Sequence, residues 1–423
     1  MNIFLGFTQL DLHSQSLADQ PLATLKISNL PPHSEFTMRA KTQDEAEITW
    51  ISWGIFKSDG SGLIDVSKQI PLSGTLTVSD PSAILWSMYP NGEMADPVPK
   101  FEKRTVAPLT ITISIEKDKE ILAQTTIERI FSPTTGIVRE PVDHEGIIGT
   151  LFYPENKGSH PVVICLSGSG GGYDETRASL LATHGYAAFA LAYFGTGSLP
   201  GELSKISVEF FERAISWLKE HNFIDSDKIA VYGYSKGGEL ALLLGSLYPQ
   251  IRAVAAFSGS SFVWQGLKFG RPYSSWTQHE KELPYLPMKV PFYTILKLMF
   301  NKKIAFRESY ERGMQALGKN DAAAIRVEQI NGPLFLVAGT DDQVWPATDF
   351  ADIITGRLKL SEYHYSYKYF KEEGAGHLVG LPYLPSAEVY KNLIFTSGNN
   401  KLSSVAMIKT WNEMIKFFDK YFT

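Results

Sequence analysis

Apolar and polar residues alternate along much of the first third of the chain. The stretch "LTITISIE", residues 109–116, alternates strictly, and "EKDKE" follows it as a hairpin turn into a second strand, "ILAQTTIERIF". Shorter alternating stretches at residues 25–27 and 36–40 are separated by the turn sequence "NLPPHS". Short strands at this spacing predict a β-sandwich over residues 1–131. No cluster of acids, histidines or glycines in this region suggests chemistry.

The pattern changes at about residue 132, where solid apolar runs replace the alternation. Five runs predict parallel strands buried on both faces: "PVVICLSG", "YAAFALAYFG", "KIAVYGYS", "IRAVAAFSG" and "PLFLVAGT". Between them, "SVEFFERAISWLKEHN" has helical periodicity, and residues 405–422 predict a C-terminal amphipathic helix. Residues 132–423 are therefore predicted to form an α/β domain, a mostly parallel sheet with helices on both faces. The stretch "SPTTGIVREP" is the predicted linker.

Composition narrows the class of partner. The chain has 423 residues and a formal net charge of −5, which argues against nucleic acid as a partner. Its single cysteine, Cys165, excludes an internal disulfide and a cysteine-based metal cluster. Because Cys165 lies in the apolar run "PVVICLSG", we expect it to be a buried filler.

No targeting segment or membrane span is visible in the sequence. The start "MNIFLGFTQLDL" lacks the basic region and long apolar core of a signal peptide. No apolar stretch approaches the roughly 18 residues of a membrane span, and the end "KYFT" matches no peroxisomal signal. We expect a cytoplasmic protein with no membrane span.

One serine lies between glycines where a predicted strand gives way to a predicted helix. The strand "KIAVYG" runs into "GYSKGG", which contains Ser235, and "ELALLLGSLYP" continues as a helix. This is a G-x-S-x-G nucleophile elbow, in which glycines are needed because a Cβ would clash with nearby backbone. The bare motif is weak evidence, but its strand-to-helix setting favours a catalytic serine over a structural turn.

A serine hydroxyl needs a base, and the base needs an orienting acid. In this type of fold the order along the chain is Ser, then Asp or Glu, then His. Asp342 follows the strand "PLFLVAG", and His377 follows the tyrosine-alternating stretch "YHYSYKYF". Asp341 is the rival acid; we prefer Asp342 because a proline follows it at the usual spacing, in "DQVWP".

A glycine-rich loop, "SGSGGG", follows the first buried strand. The backbone N–H of Ser169, together with that of Lys236, is the candidate oxyanion hole. A phosphate-binding loop is the alternative. It is disfavoured because neither G-x-x-x-x-G-K-[ST] nor G-x-G-x-x-G spacing is present.

These motifs together resemble one family, the acyl-CoA thioesterases and the bile acid-CoA:amino acid N-acyltransferase. The resemblance covers most of the chain. It includes "NLPPHSEFTMRA" and "ILWSMYP" in the first domain. In the second domain it includes "GTLFYP", "SGSGGGYDETRASLLATHGYAAFALAYF", "GYSKGGELALLLGSLYP", "GTDDQVW", "GAGHLVGLPYLP" and the tail around Trp411.

The resemblance implies an immunoglobulin-like N-terminal domain followed by an α/β-hydrolase domain. It also implies that Ser235 is the nucleophile, Asp342 the acid and His377 the base, with acyl-CoA as the substrate and no metal or redox cofactor. The amino-acid-conjugating branch is similar but carries cysteine at the nucleophile. Serine in this chain therefore favours hydrolysis over transfer to an amine.

Three other functions stay open at this point. The first is an acyl-CoA:amino acid N-acyltransferase, and the second is a dienelactone-hydrolase-like carboxylesterase that uses the same triad on oxygen esters. The third is a binding protein with a relic site, which an ordered Ser, Asp and His disfavour.

Residues 260–312 are predicted to be an inserted cap. Its aromatic and apolar residues suggest either an acyl-chain pocket or simple packing of the cap on the core: Phe262, Trp264, Trp276, Tyr285, Phe292, Tyr293, Leu296, Leu298, Met299 and Phe300. Lys302 and Lys303 are candidates to bind CoA phosphates, but a solvated basic pair is favoured.

Overall fold

The computed structural model divides the chain into two compact units. One comprises Met1–Ser132 with Gly380–Glu388, and the other comprises Pro133–Val379 with Val389–Thr423. The residues that the structure describes are 8–93, 97–267, 272–315, 321–390, 394–396 and 399–422. The sequence places residues 380–388 in the second domain, whereas in the structure they cluster with the first unit.

The first unit is an all-β sandwich built from two sheets. Its strands are β1 (Gln9–Asp11), β2 (Gln15–Leu17), β3 (Lys26–Ser28), β4 (Glu35–Gln43), β5 (Thr49–Lys57), β6 (Ile64–Asp65), β7 (Ser73–Gly74), β8 (Tyr89–Pro90), β9 (Leu109–Lys117) and β10 (Glu120–Ile130). One sheet has the order β1-β3-β6, and the other has the order β2-β10-β9-β4-β5-β7, with β8 also paired to β5. A short helix, α1, spans Ala83–Trp86.

The strongest alternating stretch forms the expected hairpin. Strands β9 and β10 pair antiparallel, and the connecting residues Asp118 and Lys119 both have positive φ, at 51° and 71°. The alternate isoleucines of β9 are buried in the sandwich. The turn "NLPPHS" does not close a hairpin, because it connects β3 in one sheet to β4 in the other.

Residues 380–388 join the sandwich through specific contacts. The Val98 N–H donates to the Glu388 carboxylate at 2.9 Å, and the Glu388 N–H donates to the Val98 carbonyl at 2.8 Å. The guanidinium of Arg129 lies 5.7 Å from the centre of the Tyr383 ring. These partners are more than 250 residues apart, so no local pattern predicts that they meet.

The second unit is an α/β fold around one twisted sheet. Its strands are β11 (Ile137–His144), β12 (Ile147–Pro154), β13 (His160–Leu166), β14 (Ala187–Ala192), β15 (Ile206–Ser207), β16 (Ile224–Tyr234), β17 (Ile251–Phe257), β18 (Trp276–Gln278), β19 (Lys281–Glu282), β20 (Leu334–Gly339), β21 (Tyr367–Glu372), β22 (Val389–Tyr390) and β23 (Ile394–Phe395). The central sheet has the order β11-β12-β14-β13-β16-β17-β20-β21. From β14 to β21 its strands run parallel, and β12 is antiparallel to both of its neighbours.

Helices cover both faces of this sheet. The helices packed on it are α2 (Glu175–Thr183), α3 (Glu209–Lys219), α4 (Lys236–Leu247), α7 (Ala347–Leu360) and α8 (Asn400–Phe422). Helices α5 (Phe292–Met299) and α6 (Arg307–Gln315) lie between β19 and β20 in the chain, and a 3₁₀ turn at Val327–Gln329 follows them. Strands β14 and β16 lie on opposite sides of β13 in the sheet. The chain therefore passes from β13 to β14 in one direction across the sheet and then crosses back over β13 to reach β16. Because crossovers are right-handed, this reversal puts α2 on one face and α3, α4 and α7 on the other.

The five apolar runs form β13, β14, β16, β17 and β20, and Cys165 is buried in β13. Burial strongly raises the pKa of its thiol, which therefore stays protonated at neutral pH. Within the described ranges, no helix combines the length and the apolar character that a bilayer span requires.

Three element boundaries differ from the sequence prediction. The predicted linker overlaps the first five residues of β11, an edge strand that tolerates Pro141 because an edge position leaves one side of the strand unpaired. The tyrosine-alternating stretch enters the sheet only at Tyr367, because the neighbouring strand β20 begins opposite that residue, at Leu334. The C-terminal helix begins at Asn400 rather than at residue 405.

Candidate active site

Ser235 occupies a strained turn between β16 and α4. Its φ and ψ are 56° and −125°, values that residues other than glycine rarely adopt. Backbone hydrogen bonds hold the turn on both sides. The Ser235 N–H donates to the Phe257 carbonyl at 2.9 Å, and its own carbonyl accepts from the N–H groups of Gly238 and Glu239 at 2.9 and 3.0 Å.

The glycines around Ser235 are required by close backbone approach. A Cβ on Gly233 would lie 2.1 Å from the carbonyl oxygen of Gly237. A Cβ on Gly237 would lie 2.4 Å from the carbonyl oxygens of both Leu166 and Ser167. The fold therefore contains the backbone clash that we expected to require glycine at these positions of the motif.

The loop after β13 lies against Ser235. Strands β13 and β16 are neighbours, with Leu166 opposite Gly233, and the strand order reverses at this point. Such a switch point leaves a crevice at the carboxyl ends of the strands. A Cβ on Gly168 would approach the Ser235 Cβ to 3.2 Å, and Ser169 follows in an exposed turn.

Asp342 and His377 are brought together by two neighbouring strands. The His377 Nδ1 lies 2.6 Å from the Asp342 Oδ2, and the two side chains are 5% and 0% exposed. The other carboxylate oxygen, Oδ1, accepts the N–H groups of Val344 and Trp345 at 2.9 and 3.2 Å. A carboxylate acceptor requires the proton on Nδ1, which leaves Nε2 as the basic nitrogen.

The loop that carries His377 is anchored to β17. The Leu378 N–H donates to the Ser258 Oγ at 3.0 Å, and the Ser235 N–H donates to the carbonyl of the preceding residue, Phe257. Ser235 and the histidine loop are thus attached to consecutive residues at the carboxyl end of one strand. The His377 N–H also donates to the Thr396 carbonyl at 2.8 Å.

Asp341 has a different set of partners. Its carboxylate accepts a hydrogen bond from the Gln343 side-chain amide at 2.6 Å, and its backbone N–H donates to the Ala375 carbonyl at 2.9 Å. These two contacts brace the loops around the site, and neither of the two involves the His377 ring.

Arg177 is a residue that the sequence reasoning missed. It is buried, pairs with Asp174, and lies over the Tyr234 ring at 4.5 Å from its centre. It also donates to the Val379 carbonyl at 2.6 Å. Burial disfavours the charged guanidinium, but the Asp174 carboxylate, together with Tyr232 and Tyr234, outweighs burial and raises the pKa of Arg177. One permanently charged side chain thus connects the residue before Ser235 to the loop after His377.

A second buried ion pair lies behind the serine. The Lys236 Nζ contacts both carboxylate oxygens of Glu239, at 2.8 and 2.7 Å, with side chains only 3% and 0% exposed. Glu239 also accepts from the Trp276 indole at 2.8 Å and from the Trp264 N–H at 3.3 Å. Burial lowers the pKa of Lys236 and raises that of Glu239, and each partner's charge offsets the effect on the other.

The ion pair with Glu239 keeps the Lys236 ammonium group from contacting a substrate at Ser235. Its side chain is held by Glu239, so the group available near Ser235 is its backbone N–H. Among the described residues, no backbone carbonyl accepts a hydrogen bond from that N–H.

We expect Glu239→Ala to destabilise the fold by about 3–5 kcal/mol, because it leaves the Lys236 ammonium buried without its partner. The double variant Lys236→Met/Glu239→Leu is expected to be clearly more stable than Glu239→Ala, since it removes both charges. Urea unfolding of each variant checks this order, with Glu220→Ala, at an exposed position, as the control. A double variant as unstable as Glu239→Ala would contradict the electrostatic explanation.

Most apolar residues of the predicted cap fall into two groups, and Tyr285 is half-buried. Phe262, Trp264 and Trp276 are buried, and the Trp264 ring packs against Tyr310 at 4.7 Å. The residues of helix α5 and the following Phe300 are instead largely exposed to solvent. Packing therefore accounts for the first group, whereas the apolar side chains of the second group stay largely exposed in the described part of the chain. Lys302 and Lys303 are also exposed.

Comparison with known proteins gives matches over nearly the whole chain. The model described as "BAAT / Acyl-CoA thioester hydrolase C terminal" matches residues 206–423, and "Acyl-CoA thioester hydrolase/BAAT N-terminal region" matches residues 19–144. Peroxisomal succinyl-coenzyme A thioesterase of Mus musculus is 28% identical over 419 residues, which cover 96% of this chain and 94% of the relative. Acyl-coenzyme A thioesterase 1 of Rattus norvegicus is 28% identical over 417 residues, with coverage of 96% and 94%.

Solved structures also resemble part of the chain. A dienelactone hydrolase-like promiscuous phosphotriesterase from metagenomic libraries matches with a TM-score of 0.42 at 16% sequence identity. The match covers 68% of this chain and all of that one.

Proposed function

Because this chain belongs to the BAAT/acyl-CoA thioester hydrolase family, we propose that it is a serine thioesterase that hydrolyses fatty acyl-CoA to a free fatty acid and CoA. The observation that carries the proposal is the arrangement at the carboxyl end of β17. The Ser235 elbow and the His377 loop are attached there to consecutive residues, and His377 is oriented by Asp342. The thioesterase names of both relatives support the coarser reaction, hydrolysis of a coenzyme A thioester.

The proposed first step is acylation of Ser235. The His377 Nε2 removes the hydroxyl proton as Oγ attacks the thioester carbonyl, and Asp342 stabilises the imidazolium that forms. The backbone N–H groups of Ser169 and Lys236 stabilise the oxyanion. The C–S bond then breaks, and CoA leaves as a thiolate that takes the proton from His377. Because a thiolate is a good leaving group, acid assistance matters less than in amide cleavage.

The second step is hydrolysis of the oxygen ester. His377 removes a proton from water, which attacks the same carbonyl carbon, and the proton returns to Ser235 as the fatty acid leaves. The same donors stabilise the second oxyanion. The enzyme returns to its starting protonation state, so the cycle consumes only water and the thioester.

Two measurements test this proposal against a carboxylesterase. A fluorophosphonate probe is expected to label Ser235, as identified by peptide mass spectrometry, and acyl-CoA is expected to react faster than a p-nitrophenyl ester of the same chain length. Acyl-CoA substrates of graded length then define the preferred chain. Labelling elsewhere, or faster turnover of the oxygen ester, would contradict the thioesterase assignment.

We also expect free fatty acid to be the main product when glycine or taurine is abundant. The Ser235 acyl-enzyme is an oxygen ester, which amines attack less readily than a thioester, and most amino groups are protonated at pH 7. Ser235→Cys is expected to lower hydrolysis and raise the share of amide. Mass spectrometry of the products, with and without amino acid, measures both effects. Predominant N-acyl amino acid from the wild type would indicate the transferase branch.

A cytoplasmic location stays a prediction, since the name of one relative places that protein in peroxisomes. Imaging of two fluorescent fusions in the native cell, one tagged at the N-terminus and the other at the C-terminus, tests it directly.

A further inference from the structure

Helix α5 carries an exposed apolar surface that the proposed reaction does not use. Phe292, Met299 and Phe300 are 73%, 75% and 72% exposed. Within the helix only Thr294 is buried. We call the exposed residues of this helix and its C-terminal neighbour the α5 patch: Phe292, Tyr293, Ile295, Leu296, Leu298, Met299 and Phe300. Single exposed apolar residues are normal on a protein surface, but a contiguous group of large ones marks an interaction surface.

The patch is surrounded by positive charge. Residues 288–303 contain Lys289, Lys297, Lys302 and Lys303 and no acidic residue, although the whole chain carries a net charge of −5. All four lysines are exposed, and none of them forms an ion pair within the part of the chain that the structure describes.

The nearby acids on α6 already have partners. Glu308 pairs with Arg312 at 2.6 Å and accepts the Tyr293 hydroxyl, and Glu311 pairs with Arg307 at 2.7 Å. Their charges are therefore compensated within α6. The four lysines around the α5 patch remain available to an external anionic partner.

We propose that the α5 patch docks the protein on an anionic lipid bilayer. A helix with bulky apolar residues on one surface and lysines around it lies in the plane of the membrane interface. Its apolar side chains enter the headgroup–acyl boundary, while lysine side chains extend to the lipid phosphates. Eight helical residues span only about 12 Å, so α5 lies on the bilayer and does not cross it.

A second copy of the chain is the rival partner for this surface. Two α5 patches placed face to face would bring two sets of four lysines together. Residues 288–303 contain no acidic residue that would offset the repulsion between these lysines. Anionic headgroups instead complement the lysines at the same time as the acyl region accepts the apolar side chains. Charge complementarity therefore favours lipid.

Co-sedimentation with phosphatidylcholine vesicles, with and without phosphatidylserine, tests the proposal. The protein used carries Ser235→Ala, so the result does not depend on the proposed hydrolysis. We expect at least about tenfold tighter binding to the anionic vesicles, since each lysine near the surface contributes about 1 kcal/mol and tenfold corresponds to about 1.4 kcal/mol. High salt is expected to weaken the binding.

Two variants examine the two components separately. Met299→Ser/Phe300→Ser removes apolar contact, and Lys302→Gln/Lys303→Gln removes charge; each is expected to weaken binding to anionic vesicles about tenfold or more. The matched controls are Leu360→Ser, at a residue that is 88% exposed, and Lys157→Gln/Lys219→Gln, at exposed lysines outside the patch. Both controls are expected to bind like the parent. Circular dichroism and thermal melting verify that all variants fold.

Three results would overturn the proposal. The first is parent protein that binds neither vesicle, and the second is equal weakening by the patch variants and their controls. The third is a dimer, detected by analytical ultracentrifugation, that Met299→Ser/Phe300→Ser dissociates, because the patch would then be covered by a second copy.

Discussion

Ser235→Ala is expected to reduce acyl-CoA hydrolysis by several orders of magnitude, up to about 10⁶-fold in kcat, without unfolding the protein. The substitution removes the hydroxyl that we propose forms the acyl-enzyme. It keeps the backbone hydrogen bonds of Ser235 with Phe257, Gly238 and Glu239, which hold the strained turn. The remaining activity is expected to come from binding and the oxyanion donors alone.

Steady-state hydrolysis of an acyl-CoA, followed by CoA release, measures this effect. The control is Ser246→Ala, a serine of the same helix whose hydroxyl donates to the Leu243 carbonyl and lies outside the site. We expect the control to retain its activity and its fluorophosphonate labelling, and Ser235→Ala to lose both. If Ser235→Ala keeps more than a few per cent of wild-type turnover, Ser235 is not the nucleophile.

Asp342→Asn is expected to lower kcat by about 10⁴-fold. The carboxylate accepts the N–H groups of Val344 and Trp345 on Oδ1 and faces His377 Nδ1 with Oδ2. An asparagine keeps the first two hydrogen bonds only if its oxygen takes the Oδ1 position, so its NH₂ group then faces Nδ1. His377 must accept that hydrogen bond, which places its own proton on Nε2 and removes the base from Ser235.

Asp341→Asn is the matched control for the acid. Its carboxylate accepts from the Gln343 amide, whereas the contact with His377 Nδ1 is made by Asp342. We therefore expect a much smaller loss of kcat, and circular dichroism is expected to show that both variants fold. A large loss in Asp341→Asn together with a small one in Asp342→Asn would reverse the assignment of the acid.

The candidate site was accessible from the sequence because its signals are local. Ser235 is recognised within six residues, and Asp342 and His377 each follow an apolar or alternating strand pattern. The carboxyl ends of parallel strands share one edge of a sheet, so residues just beyond them can be expected to meet. That argument uses only the order of elements along the chain.

The supporting residues were not accessible in this way. Arg177 acts through Tyr234 and through Val379, a carbonyl 202 residues away, and nothing in its own neighbourhood indicates either contact. Glu239 is similar, since its indole donor Trp276 comes from an insertion 37 residues further on. Long-range pairs of this kind depend on how whole elements pack, which a period of 2.0 or 3.6 residues does not encode.

Periodicity and turn chemistry in the sequence by themselves determined the change from an all-β region to an α/β region, the buried strands, and the elbow at Ser235. These features can be predicted residue by residue, because side chains in a strand or a helix point to the same face at a fixed spacing along the chain. Only the tertiary structure decided that residues 380–388 join the sandwich and that the apolar residues of α5 face solvent. An apolar residue type indicates that burial of its side chain is favourable. Whether the side chain is in fact buried depends on how the other elements pack around it.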